Sequence, residues 1–153
     1  PHFNGEPVLI LNGDTLFELD LGALMRFHRE QQAAATLVLR KDPEAARWGL
    51  VEVTDRSEVV RITGRGRADS AQTLARMFAG IHILHPRLLR SLPAGKECSI
   101  IDAYVQGIQD GERIVGYDFD GFWSDVGTPE RYAQVERDAA AGRLNLSARS
   151  ASN

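Results

Sequence analysis

Short apolar runs alternate along this chain with polar stretches that carry turn and cap residues. Val8–Leu11 is an unbroken apolar run, and it stops at Asn12-Gly13-Asp14. Such a run predicts a strand buried on both faces, as in a parallel sheet. Leu21, Leu24, Met25 and His28 then recur at the three-and-four spacing of one helical face, with Asp20 placed to cap it. "ATLVLRK", residues 35–41, predicts the next strand. Strand, helix, strand implies a right-handed parallel crossover.

The middle of the chain has a different rhythm. Leu50-Val51-Glu52-Val53 and Val59-Val60-Arg61-Ile62 flank the polar turn Thr54 to Ser57, which predicts a β-hairpin. "GRGRADSAQ" is a polar loop, and "MFAGIHILHP" a strand that stops at Pro86, where a short helix starts. Ser99 is placed to cap a helix with Ile100, Ile101, Tyr104, Val105 and Ile108 on one side and Gly111 at its end. "RIVGYDF" and "FWSDV" predict short strands. Thr128-Pro129-Glu130 combines a cap, a proline at the first helical position and an acid in the first turn. That helix should run to about Ala141 and stop at Gly142. "SARSASN" has the composition of a frayed tail. The expected organisation is one α/β domain over residues 1–142 and a tail over 143–153. Its sheet is expected to be mixed but mainly parallel and Rossmann-like, flanked by helices, with a hairpin insertion.

Composition narrows the partners. A length of 153 residues suffices for one domain with its own core. The net charge of −3 supplies no basic field for nucleic acid or an anionic membrane. No apolar run approaches the roughly 20 residues of a membrane span. "PHFNGEP" has none of the features of a signal peptide and lacks Met. Cys98 is the single cysteine, which excludes an internal disulfide and points to a reducing, cytoplasmic setting.

The candidate chemistry lies at strand ends, where open α/β sheets bind ligands. Asp14 ends the first strand, and Gly13 lets backbone approach a ligand without a Cβ in the way. A carboxylate there is a hard-oxygen donor for Mg²⁺, which takes one or two carboxylates together with substrate phosphates. Taken alone, "NGD" reads equally well as a turn with Asp14 capping a loop. "FWSDVGTPERY" repeats the arrangement, with Asp125 at a strand end, then a glycine and a helix start. Asp125 alone would be an ordinary acid before a capped helix. Together the two aspartates form a candidate metal pair, expected on one sheet edge on the order of 5–8 Å apart, given metal–oxygen distances of roughly 2.1 Å. His82 and His85, three apart in or beside a strand, point to opposite faces and make no metal pair. His28 is assigned to the edge of the core, and Cys98 is given no catalytic role.

"VLILNGD", "WGLVEV", "FAGIHILHP" and "WSDVGTPERY", in that order, closely resemble the sugar-1-phosphate nucleotidyltransferases, in particular their mannose-1-phosphate guanylyltransferase-like and N-acetylmuramate-1-phosphate uridylyltransferase-like members. The resemblance covers about residues 7 to 140. It implies transfer of a nucleotidyl group from a nucleoside triphosphate to a sugar 1-phosphate, with release of pyrophosphate and formation of a GDP-mannose-like or UDP-sugar-like product. It implies Mg²⁺ held by Asp14 and Asp125, and a backbone contact to the sugar at Gly49. Ala79 and Gly80 would lie beside the sugar hydroxyls, Trp123 would form a wall, and Asn12 and Gly13 would complete the substrate-binding set. Trp123 has a second reading as a core aromatic. A homologue that binds nucleotide sugar without turnover is the competing function.

Two departures qualify the resemblance. The family's glycine-rich phosphate loop, G-x-G-x-R-x-x-P, does not precede Pro7. The expectation is therefore a chain incomplete at its N-terminus and inactive alone, with a missing N-terminal segment or a second copy as partner. The family's Glu-Lys-Pro after the hairpin is replaced by "ITGRGR", where Arg65 or Arg67 stands in for the lysine or belongs to a solvated basic turn.

Overall fold

A computed structural model describes residues 4–67, 72–93 and 95–144. Residues 68–71 of the expected polar loop and the tail from 145 onward lie outside the described residues. The elements are β1 (Val8–Leu11), β2 (Thr15–Phe17), α1 (Leu21–Gln31), β3 (Ala35–Arg40), α2 (Ala45–Trp48), β4 (Leu50–Val53), β5 (Val59–Ile62), β6 (Arg65–Gly66) and β7 (Leu74–Leu84). A 3₁₀ helix (Pro86–Ser91), α3 (Ile100–Gln109), β8 (Ile114–Asp118), β9 (Trp123–Asp125) and α4 (Pro129–Ala140) complete the order.

The caps are the ones the sequence names. The Asp20 side chain accepts from Ala23 N, Ser99 from Ile101 N and Thr128 from Arg131 N, each satisfying a helix-start N–H. Gly111 and Gly142 follow α3 and α4 at φ 81° and 69°, the left-handed region a side chain resists. The hairpin is also present, with Val51 opposite Ile62 and Val53 opposite Val59.

The main sheet runs β6-β5-β4-β7-β3-β8, with β1 also on β7. It is mixed and flanked by helices, but its ladders are mostly antiparallel where a mainly parallel sheet was expected. β3 and β8 pair in parallel, whereas β7 is antiparallel to β1, to β3 and to β4. β1 and β3 thus run the same way, as a crossover requires, yet β7 lies between them. A strand's residue pattern reports which faces are buried, not its direction, so β7 could not be oriented from sequence.

Period-two alternation divides the core between the faces. Leu37 and Leu39 pack with Val51, Ile62, Tyr104, Ile108 and Ile114 under α3, while Val38 between them packs with Leu24, Ile81, Ile83 and Phe119 under α1. β1 departs from expectation. It is half-buried, and Leu11 is 43% exposed, because among the described residues it pairs only with β7.

Three histidines are structural. His82, from β7, shares a 2.7 Å hydrogen bond with the Tyr104 hydroxyl inside the α3 core. Burial pushes the His82 pKa down to about 4 and raises that of Tyr104, so both are neutral. His28 makes a buried 2.8 Å hydrogen bond to Thr36. His85 caps the 3₁₀ helix by accepting from Arg87 N.

Candidate active site

Strand β7 is flanked on one side by β3 along most of its length. On its other side two strands lie end to end: β4 opposite Leu74–Met77 and β1 opposite Ile81–Leu84. β4 begins and β1 ends at the gap between them, which opens opposite Phe78, Ala79 and Gly80. Across it, Phe78 N donates to Gly49 O at 3.3 Å and Asn12 N donates to Gly80 O at 2.9 Å. The three segments 12–14, 49 and 79–80 therefore meet at one place. On the β3 side the register slips at the same point, where Leu37 faces His82 and Leu39 faces Phe78. Such bulges bend a strand and re-aim its side chains.

Glycine is required at Gly80. Its φ is +74°, and a Cβ there would come within 2.5 Å of Asn12 Nδ2. Gly49 also holds a positive φ, +122°, but the space over it and over Gly13 differs from that at Gly80. A Cβ at either would meet nothing within 4 Å, so open space lies over both backbones.

The two aspartates are brought together by β2 and β9, which form a separate two-stranded sheet with Thr15 opposite Asp125, Leu16 opposite Ser124 and Phe17 opposite Trp123. Val126 N donates to Asp14 O at 2.7 Å and extends the tie. The position of a Cβ built on Gly127 lies 3.2 Å from Asp14 Oδ2 and 3.2 Å from Asp125 Oδ1, so the two oxygens are separated by at most twice that distance. Both carboxylates thus face one point, which glycine leaves clear. Asp14 is exposed and Asp125 half-buried. Burial would push the Asp125 pKa up, but the Gly127 N–H and the Arg131 guanidinium, 2.8 Å away, outweigh it and hold the carboxyl below its usual range.

Behind the carboxylates stands an aromatic wall. Trp123 Nε1 donates to Ala79 O at 2.9 Å, fixing the indole against the gap. Trp48 meets Trp123 edge to face with ring centroids 6.5 Å apart. The guanidinium carbon of Arg131 lies 4.5 Å from the Trp48 centroid, within cation–π range. Trp123 also packs against the α1-side core. Sequence reasoning missed Trp48, Gly127 and Arg131 as site residues. Their one sequence signal was adjacency: Trp48 precedes Gly49, and the others fall within the segment after Asp125.

Asp14 and Asp125 offer two converging hard-oxygen donors, a set that suits Mg²⁺ when phosphate and water supply the remaining positions. Among the described residues no group of three or more His, Cys, Asp or Glu is placed to hold a metal. Arg65 pairs with Asp102 at 2.6 Å and Arg67 with Glu58 at 3.1 Å. Cys98 is exposed. No helix among the described residues is long and apolar enough to cross a membrane.

Comparison with known proteins accords with this geometry. Two curated glucose-1-phosphate adenylyltransferases of Clostridium botulinum, from strains Alaska E43 and Eklund 17B, are each 31% identical over 155 residues. These alignments take in 94% of this chain and 39% of each relative, so the chain spans about two fifths of their length. Among solved structures, a Bacillus anthracis chain described as a glucose-1-phosphate thymidylyltransferase, solved with sucrose, superposes with a TM-score of 0.70 at 17% identity over 94% of this chain and 58% of that one. An apo UDP-glucose pyrophosphorylase superposes with a TM-score of 0.69 at 22% identity over 92% of this chain and 56% of that one. These two likenesses show the fold. The sequence profile of the nucleotidyl transferase family matches residues 2–142, and this chain belongs to that family.

Proposed function

We infer that this chain carries the sugar-phosphate and metal half of a nucleotidyltransferase that joins a nucleoside triphosphate to a sugar 1-phosphate and releases pyrophosphate. The observation that supports this most is the convergence of Asp14 and Asp125 on the clear point over Gly127, beside the gap where Asn12, Gly49 and Gly80 meet. In the reaction a sugar phosphate oxygen attacks the α-phosphorus in line, and the bond to the pyrophosphate oxygen breaks. Such chemistry asks the protein for positioning and charge neutralisation rather than covalent work. Asp14 and Asp125 would hold Mg²⁺, which when bound neutralises phosphate charge. The open backbones of Gly13 and Gly49 would let the sugar approach, and Trp48 and Trp123 would form its wall and exclude water.

The finer reading is a mannose-1-phosphate guanylyltransferase-like pairing of base and sugar. It rests on the resemblance carried by "VLILNGD", "WGLVEV", "FAGIHILHP" and "WSDVGTPERY", the last being the most specific. The curated relatives are named instead for glucose 1-phosphate and adenylyl transfer. A panel of four nucleoside triphosphates against mannose 1-phosphate and glucose 1-phosphate, read by pyrophosphate release, decides between them. In the full-length protein, Asp14→Asn and Asp125→Asn should each lower kcat by about 10²–10³-fold, the scale of losing one charge-stabilising group at a reacting centre. Undiminished rates in either variant at saturating Mg²⁺ would refute the assignment.

A further inference from the structure

Among the described residues four arginines grip a carboxylate through two nitrogens each: Arg61 on Glu52, Arg76 on Asp118, Arg87 on Glu112 and Arg143 on Asp138. Arg131 is arranged differently. Its Nη1 sits 2.8 Å from Asp125 Oδ1, and its guanidinium carbon lies 4.5 Å from the Trp48 centroid. Oδ1 is also the oxygen that faces Asp14 over Gly127 and accepts from Gly127 N. A dication shared by the two aspartates would need that same side of Asp125. Arg131 and the cation are therefore rivals for one oxygen.

We propose that Arg131 is a positioning residue that hands over: it neutralises Asp125 until a divalent cation arrives, then turns on the Trp48 face to meet an anionic phosphate oxygen of the sugar 1-phosphate. The inference rests on the metal reading of Asp14 and Asp125. Two carboxylates and one guanidinium leave the pair one negative charge short of full repulsion, which steadies the empty site. A dication would displace the guanidinium from Oδ1 and free it to meet a phosphate oxygen at the roughly 2.7–2.9 Å of a charge-assisted hydrogen bond. Trp48 supplies a surface on which a flat guanidinium keeps its attraction while its hydrogen-bond partner changes. The outcome is coupling: cation and sugar phosphate each bind better when the other is present, by the same factor.

The chain contains two tryptophans, Trp48 and Trp123, both in this wall, so intrinsic fluorescence reports the site directly. The test titrates MnCl₂ into the wild type, Arg131→Gln, Arg131→Lys and Asp14→Asn, followed by tryptophan quenching and by the electron paramagnetic resonance of free Mn²⁺, with and without glucose 1-phosphate. Without the sugar phosphate, Arg131→Gln should bind Mn²⁺ roughly threefold to fivefold more tightly than wild type, the scale of one partly exposed ion pair. Adding glucose 1-phosphate should tighten Mn²⁺ binding more in wild type than in Arg131→Gln. Arg131→Lys, which keeps the charge but loses the planar stack, should fall between them. Equal or weaker Mn²⁺ binding in Arg131→Gln, with Asp14→Asn still losing it, would overturn the handover and leave the metal pair standing. Mn²⁺ binding in Asp14→Asn that matches wild type would overturn the metal pair itself.

Discussion

From Ile81 to Leu84 strand β7 has β1 on one side and β3 on the other, and its side chains are all but sealed from solvent. At Gly80 the same strand faces a gap, holds a φ of +74° and lies beside backbones with nothing over them. The polar groups of the two regions differ accordingly. In the sealed part His82 and Tyr104 hydrogen-bond each other and burial keeps both neutral. At the gap Asp125 is kept ionised by an N–H and a guanidinium, and Asp14 is exposed. A domain of this size fixes a charged, open site by anchoring it a few residues from a neutral, closed core. The core spends its polar atoms on order, and the site keeps its charges for a ligand.

That contrast can be broken most severely from the core side. Tyr104→Ala removes a fully buried ring on which α3 and β7 both rest. It should lower unfolding free energy by about 3–5 kcal/mol, read by urea denaturation, while the protein that stays folded keeps its Mn²⁺ affinity. Acid should act next in size and on the same region. His82 has a pKa near 4 in the fold against 6.5 in the open chain, so the unfolded state takes up the proton first. Stability should be intact above pH 6.5 and fall as pH drops from 6.5 towards 4, by on the order of 3 kcal/mol at most. Burial, with the charges of His85, Arg29 and Arg87 behind it, lowers the His28 pKa and adds a loss of the same sign. Thermal melts across that range, with NMR titration of the histidine ring protons, check both. A His82 ring that protonates near pH 6.5 would remove the cause. The smallest effect should come from the site. Asp14→Asn should shift unfolding free energy by no more than about 0.5 kcal/mol, because the side chain is exposed and holds charge rather than packing. A large loss there would show that the carboxylate pair is structural.

What the sequence disclosed follows from the range of the forces involved. The caps Asp20, Ser99 and Thr128, the stop at Pro86 and the hairpin between Val53 and Val59 depend on neighbours along the chain, and each was legible. Strand β2 was not. Three residues between an Asn-Gly-Asp turn and a helix cap show no period of their own, and they form a strand only because β9 lies across from them. The antiparallel placing of β7 is likewise a property of the sheet rather than of its residues. At the site, Asp14, Gly49, Gly80 and Asp125 stood out by residue type and by resemblance. Their partners Trp48 and Arg131 did not, since an indole before a glycine and an arginine in a helix's first turn look like core and solvent until the chain brings them 4.5 Å apart.

The small sheet of β2 and β9 has a consequence for how the chain tolerates changes of length. Thr15 opposite Asp125 fixes the two carboxylate-bearing segments by a ladder, and a ladder slips only by whole residues. A single codon gained or lost within Thr15–Phe17 or Trp123–Asp125 would turn one aspartate to the opposite face, with no intermediate position available. Beyond those six residues the arithmetic relaxes. The connection over residues 119–121 lies beyond the last tie, the 3.0 Å hydrogen bond from Glu18 N to Phe122 O, and an extra residue there moves neither carboxylate by a pleat. Insertions and deletions compatible with the paired aspartates should therefore gather in that connection and be missing from the ladder.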